Sequence, residues 1–135
     1  LMFASYARPT GKPATSRPFV MRSIIAYSSV VRRALRSGGL AVAAISLWET
    51  AMLCAQGRLT VVGTPEGVIR ELLEKTGVEV REITPTIAAL SIQFPEDFPK
   101  DPGDRLIAAT ARAEGLPLVT RDERIRSSPL LKTIW

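Results

Sequence analysis

Residues 101–122, DPGDRLIAATARAEGLPLVTRD, decide how this chain folds. They read as a capped helix, a tight exit, a short buried strand and the start of another helix. Asp101 is a natural N-cap, Pro102 suits the first helical position and Asp104 falls in the first turn. Leu106, Ile107, Thr110 and Ala113 recur at helical spacing as the expected inward stripe, and Gly115 supplies a left-handed exit. Residues 116–120, LPLVT, are too short for a helix and apolar enough for a buried parallel strand. That strand carries Asp122 to its carboxyl end, the edge where open α/β sheets place their ligands.

A second stretch repeats the arrangement. Residues 40–45, LAVAAI, read as another buried strand, and SLWE at 46–49 opens the next helix, placing Glu49 in its first turn. Glu49, Asp104 and Asp122 thus reach one sheet edge. Three carboxylates there make a candidate site for Mg²⁺, which takes hard oxygen ligands. Each acid also has an ordinary explanation. Ser46 with Glu49, and Thr120 with Glu123, match the capping-box pattern, and acids at helix starts favour the positive end of the dipole.

Composition narrows the chemistry. A length of 135 residues suits one domain, and a 46% hydrophobic fraction suits a globular protein. The longest apolar run, residues 39–48, is far too short to span a bilayer. Cys54 is the single cysteine, so no internal disulfide forms and a reducing cytoplasm is the expected setting. Histidine is absent, which removes Ser-His and Cys-His nucleophilic catalysis and most zinc chemistry. The net charge of +5 is uneven: residues 1–40 hold seven Lys or Arg and no acid, while the rest hold eleven basic and thirteen acidic residues. A basic arm is compatible with a nucleic-acid partner, but taken alone it is more often an ordinary solvated tail.

Along the chain, strands alternate with helices, which predicts an α/β fold with a mainly parallel sheet. Residues 1–18 carry three prolines and no usable period and read as irregular. Residues 19–27 read as a strand, expected in the central slot between strands 40–45 and 116–120. Residues 28–37 read as a basic helix. Helix 47–56 is expected to bury Leu47, Trp48, Ala51, Met52 and Ala55, with Trp48 a core anchor rather than a base-stacking platform and Cys54 a small buried hydrophobe. Thr64 caps a helix ending at Gly77, residues 78–83 suggest a more exposed strand, and Thr84-Pro85 opens a short helix. A proline-rich loop at 94–100 follows, and residues 131–135 are expected to form an edge strand.

With these blocks in order, namely ISLWE at 45–49, GRL at 57–59, DPGDRLIAATA at 101–111 and LPLVTRD at 116–122, the chain resembles the PIN-domain ribonucleases, and most closely the VapC-like toxins of toxin–antitoxin pairs. The resemblance covers about residues 28 to 135. It implies a three-layer α/β/α sandwich and an Mg²⁺- or Mn²⁺-dependent endoribonuclease that hydrolyses RNA phosphodiesters, dimerises and is neutralised by a cognate antitoxin. By the same resemblance Glu49, Asp104 and Asp122 match the acidic catalytic and metal positions, with Thr120 a polar neighbour. Arg105 and Arg121 are candidates to hold RNA phosphates, together with Arg112, Arg124 and Arg126, or else form a solvated surface.

The chain departs from that pattern at its start. The family opens with an apolar strand ending in an Asp, and residues 1–40 contain no acid. The expected organisation is therefore a basic, atypical segment at 1–27, disordered or serving as a substitute strand, followed by a PIN-like domain at 28–135 without the usual first acidic strand. Such a junction is expected of a truncated or frame-shifted N-terminus. Two further readings follow: a catalytically inactive PIN-like module that binds an antitoxin or RNA without cleaving, and a generic flavodoxin-like interaction domain should the three acids not converge.

Overall fold

The computed structural model describes residues 2–3, 29–37, 39–59 and 61–135. In chain order the elements are β1 (Met2–Phe3), α1 (Ser29–Arg36), β2 (Ala41–Ala43), α2 (Ala44–Ala55), α3 (Pro65–Thr76) and β3 (Glu79–Arg81). They continue with α4 (Pro85–Ser91), α5 (Pro102–Ala113), β4 (Leu118–Val119), α6 (Glu123–Arg126) and β5 (Thr133–Ile134). The sheet order is β3-β2-β1-β4-β5, and every pairing is parallel.

Side chains of a strand alternate between faces, and the two faces here bury different partners. Ala41, Ala43 and Leu118 pack with Ile87 of α4, Ile107 to Ala111 of α5 and Ile125 of α6. Leu40 and Val119 pack with Val31 and Ala34 of α1. Helices on both faces of a parallel sheet make the α/β/α sandwich expected from the sequence. Residues 101–122 form the unit read from them. Asp101 Oδ1 accepts from the backbone N–H groups of Gly103 and Asp104, Pro102 opens α5, and Gly115 exits with φ of 63°.

Several expectations need correction. The central slot between β2 and β4 is held by Met2–Phe3, from the arm read as irregular. Residues 19–27, expected there, lie outside the described residues, as does most of the 1–27 segment. The strand expected over 40–45 ends at Ala43 and α2 begins at once, so Ser46 is in the first turn and Glu49 in the second. Neither capping box forms. Ala43 caps α2 with no side-chain bond, and Asp122 rather than Thr120 caps α6.

Burial on α2 also differs from expectation. Trp48 is 59% exposed, Met52 and Ala55 are exposed, and Ser46 is the residue fully buried; Cys54 is half-buried. The polar Ser46, Glu49 and Thr50 share one side of α2, and it is this side that turns inward, leaving the apolar stripe of Trp48, Met52 and Ala55 outside. On α5 the buried run is Ile107 to Ala111, and Ala113 is exposed. Helix α3 buries no residue fully; Ile69 and Leu73 share with Ala51 of α2 an open groove edged by Glu66, Arg70 and Glu74. No helix among the described residues is long and apolar enough to cross a membrane.

Candidate active site

The carboxyl edge of the sheet sets the site. β2 ends there at Ala43 and runs directly into α2, which carries Ser46 and Glu49 one helical turn apart on one face. β4 ends there at Val119 and leads through Thr120 to Asp122. Between them the amino end of α5 brings Asp101 and Asp104.

Glu49 lies against the first turn of α5. A methyl group on Gly103 would stand 2.6 Å from Glu49 Oε1 and 3.0 Å from Asp101 Oδ1, so the two carboxylates crowd the same bare backbone. Burial, and then the negative charges of Asp104 and Asp101, push the Glu49 carboxyl up to about 7. Glu49 Oε2 and the Ser46 hydroxyl are both buried without a hydrogen-bond partner. Unmet buried acceptors of this kind call for an explanation, and a cation is one. The charge pattern says the same, because a positive ion would relieve the mutual repulsion of Glu49, Asp104 and Asp101.

The Asp122 end is built differently. Asp122 Oδ1 accepts from the backbone N–H of Arg124 at 2.8 Å and from its Nε at 3.3 Å, while Oδ2 accepts from Nη2 at 2.8 Å. The Arg124 side chain first, with backbone bonds added, holds this carboxyl below its ordinary value against a smaller opposing effect of burial. The buried Thr120 hydroxyl accepts from the Asp122 N–H at 3.1 Å and so fixes the turn. Asp104 links the two ends, since its charge acts on both Glu49 and Arg124.

The predicted acids therefore do not all meet in the same way. Glu49 and Asp104 come together, with Asp101 beside them, and Asp122 joins through Arg124. Among the described residues no group of three His, Cys, Asp or Glu side chains is spaced to hold one metal ion. The hard-oxygen donors at the Glu49 end nonetheless fit a Mg²⁺-class ion, which commonly uses only one or two protein carboxylates.

Two arginines have tasks that residue type alone does not reveal. Arg105 donates from Nε to the Pro99 carbonyl at 2.8 Å, and from Nη1 and Nη2 to those of Phe94 and Pro95 at 3.3 Å. Its guanidinium pins the proline-rich loop, where Phe94 and Phe98 stack at 4.2 Å. Arg121 lies 4.9 Å from the ring centroid of Trp135. The Ser46 hydroxyl and the Asp122–Arg124 pair escaped the sequence reading as site features. The Ser46-x-x-Glu49 spacing was a visible signal for the first, because i and i+3 share a helix face.

The PIN domain family model matches residues 25–129. Ribonuclease VapC22 of Mycobacterium tuberculosis (strain ATCC 25618 / H37Rv) is 44% identical over 98 residues, which is 71% of this chain and 74% of that protein. The fold is similar to that of VapBC2 from Rickettsia felis bound to a DNA fragment from their promoter, with a TM-score of 0.62, 16% identity and 84% and 91% of the two chains covered. It is similar also to FitAcB from Neisseria gonorrhoeae, with a TM-score of 0.58, 22% identity and 88% of each chain covered.

Proposed function

Because the chain belongs to the PIN-domain family, we propose that it is the toxin ribonuclease of a toxin–antitoxin pair, a metal-dependent endoribonuclease acting on RNA phosphodiesters in the cytoplasm. Within that reading a cognate antitoxin and a second copy of the chain are its protein partners. The observation that carries it is the crowding of Glu49 with Asp101 and Asp104 at the first turn of α5, with Glu49 Oε2 and Ser46 Oγ left unbonded.

Glu49 and Asp104 would hold Mg²⁺ or Mn²⁺, with Asp122 as the third acid once Arg124 lets it go. Such an ion supplies an activated water and neutralises charge on the phosphoryl oxygens. Asp104 stands between both ends of the site and orders them electrostatically. Arg124, exposed and within reach of two acids, is placed to exchange Asp122 for a phosphate oxygen. Thr120 keeps the turn before Asp122 rigid, and α5 fixes Asp101 and Asp104 through its cap.

A second reading, an inactive module that binds RNA or antitoxin without cleaving, is favoured by one observation. The central strand β1, Met2–Phe3, carries no acid, and none occurs in residues 1–40. RNA cleavage with Mg²⁺ or Mn²⁺ separates the two readings. Cleavage by the native chain and none by Asp104→Asn establishes the enzyme on its remaining acids. Cleavage by neither, in a chain that still binds RNA or an antitoxin, establishes the inactive binding module. A folded chain that neither cleaves RNA nor binds RNA or antitoxin would remove both readings.

A further inference from the structure

Hydroxyls on the helices of this chain follow a pattern, and Ser46 breaks it. Thr50, Thr76, Ser91 and Thr110 each donate to a backbone carbonyl three or four residues earlier, at 2.7 or 2.8 Å. Ser46 is only 2% exposed, yet its Oγ has no partner. Its place explains why. Ser46 is the third residue of α2, so the residues three and four positions earlier are Ala43 and Val42, both in β2. The preceding helical turn that such a bond needs does not exist there.

Glu49, one turn further along the same inward face, has its Oε2 in the same state. Its Oε1 is the oxygen crowded against Gly103, beside Asp101. Among the described residues a third buried side-chain atom is unbonded, Arg81 Nε, but that guanidinium is held by ion pairs with Glu79 and Glu114. Ser46 and Glu49 have no such substitute. A hydroxyl and a carboxylate oxygen on one helix face, both buried and both unbonded, point to a common partner. A water would satisfy both atoms but leave the repulsion among Glu49, Asp101 and Asp104 untouched. A cation answers both needs.

We propose that Ser46 is a metal-ligating residue: its hydroxyl oxygen and Glu49 Oε2 grip one divalent cation from the inward face of α2. The inference rests on the metal-dependent reading above and adds a neutral ligand to it. A further carboxylate at this position would crowd a fourth negative charge against the other three. A hydroxyl brings an oxygen with two lone pairs and no charge, and hard cations accept neutral oxygens alongside carboxylates. Holding that hydroxyl buried and unbonded costs the metal-free fold stability, so the assignment predicts two effects of opposite sign.

The test uses the full chain. Ser46→Ala removes the unbonded hydroxyl, so with EDTA present its melting temperature should rise by roughly 3–8 °C. In calorimetric titration the same variant should bind Mn²⁺ about tenfold more weakly. Ser46→Cys places a soft sulfur at the position and should exchange Mn²⁺ affinity for Cd²⁺ affinity. Its Cd²⁺ complex should show a thiolate-to-metal absorption band that the native chain, whose single cysteine is Cys54, lacks. A melting temperature that falls in Ser46→Ala makes Ser46 a structural hydroxyl and overturns the proposal. Weakened Mn²⁺ binding with no Cd²⁺ band in Ser46→Cys overturns direct ligation. Unchanged Mn²⁺ affinity in Ser46→Ala, beside a loss in Glu49→Gln, assigns Ser46 to a buried water and leaves the ribonuclease reading standing. A native chain that takes up no Mn²⁺ overturns both.

Discussion

Glu49 and Asp122 sit at opposite ends of one sheet edge, and their surroundings pull them in opposite directions. Glu49 has lost water and faces two negative neighbours, so its carboxyl is pushed up to about 7 and one oxygen stays unbonded. Asp122 caps a helix, holds a guanidinium in a two-point grip and is kept below its ordinary value. The first carboxylate is costly to the apo fold and ready for a cation. The second is already satisfied and must give up a partner before it binds anything. One site therefore has an open half and a closed half, which is why three acids in the right order do not make a ready metal cage.

The largest expected effect tests that asymmetry through the ion itself. Glu49→Gln should weaken Mn²⁺ binding by about a hundredfold in calorimetric titration, and Asp122→Asn by only about tenfold, the span over which altered metal surroundings usually act. Arg124→Ala should move affinity the other way, because it frees Asp122 and removes a positive charge. Equal losses from Glu49→Gln and Asp122→Asn would show both acids bound alike, and the open and closed halves would be a false division.

A smaller effect is expected in the pH dependence of stability, measured with EDTA present. Glu49 ordinarily titrates near 4.5 and in the folded chain near 7, so between those values the folded state keeps a proton that the unfolded chain has released. Stability from this group is therefore full below pH about 4.5 and falls as pH rises through about 7. The side chain is only half-buried, and solvent screening reduces the cost to roughly 1–2 kcal/mol. Urea midpoints for the native chain should drop from pH 5 to pH 7.5 by more than those of Glu49→Gln. Parallel curves for the two proteins would mean that Glu49 is not strained by its neighbours.

Much of this was legible in the sequence, and the reasons for the gaps are specific. Caps, prolines and glycines are local signals, so α3, α4 and α5 begin where Thr64, Thr84 and Asp101 say they should. The order of apolar strands and helices gave the sandwich. The inward face of α2 is not legible because the helix is inverted: polar Ser46 and Glu49 turn inward at the acid site while Trp48 and Met52 face out, the reverse of an ordinary amphipathic helix. The loop contacts of Arg105 are not legible in the sequence, because a phosphate and a peptide carbonyl look alike from the donor's side. β1 was missed because two residues carry no period; its place is set by the slot that β2 and β4 leave open. Asp122 was placed correctly at the strand end, but its capping bond to the Arg124 backbone spans two residues and was assigned to Thr120 instead.

The smallest expected effect comes from that cap. Asp122 stabilises the fold in two separable ways, by accepting the Arg124 backbone N–H and by pairing with the Arg124 side chain. Asn accepts the first bond nearly as well as Asp, whereas Ala removes it. The second contact is an ion pair whose arginine is 66% exposed, so it contributes little, at most about 1 kcal/mol. Asp122→Ala should then cost about 1 kcal/mol and Asp122→Asn only a few tenths, at neutral pH. The folded carboxyl lies below its unfolded value, so the charged contribution is complete above pH about 3.8 and is lost as pH falls through the depressed folded value. This is the reverse of Glu49, and it lies outside the pH 5 to 7.5 window used there. Denaturant titration of both variants at neutral pH decides the matter. If Asp122→Asn loses as much as Asp122→Ala, the carboxylate charge outweighs the cap, and Arg124 is a firmer lock on the closed half than its exposure implies.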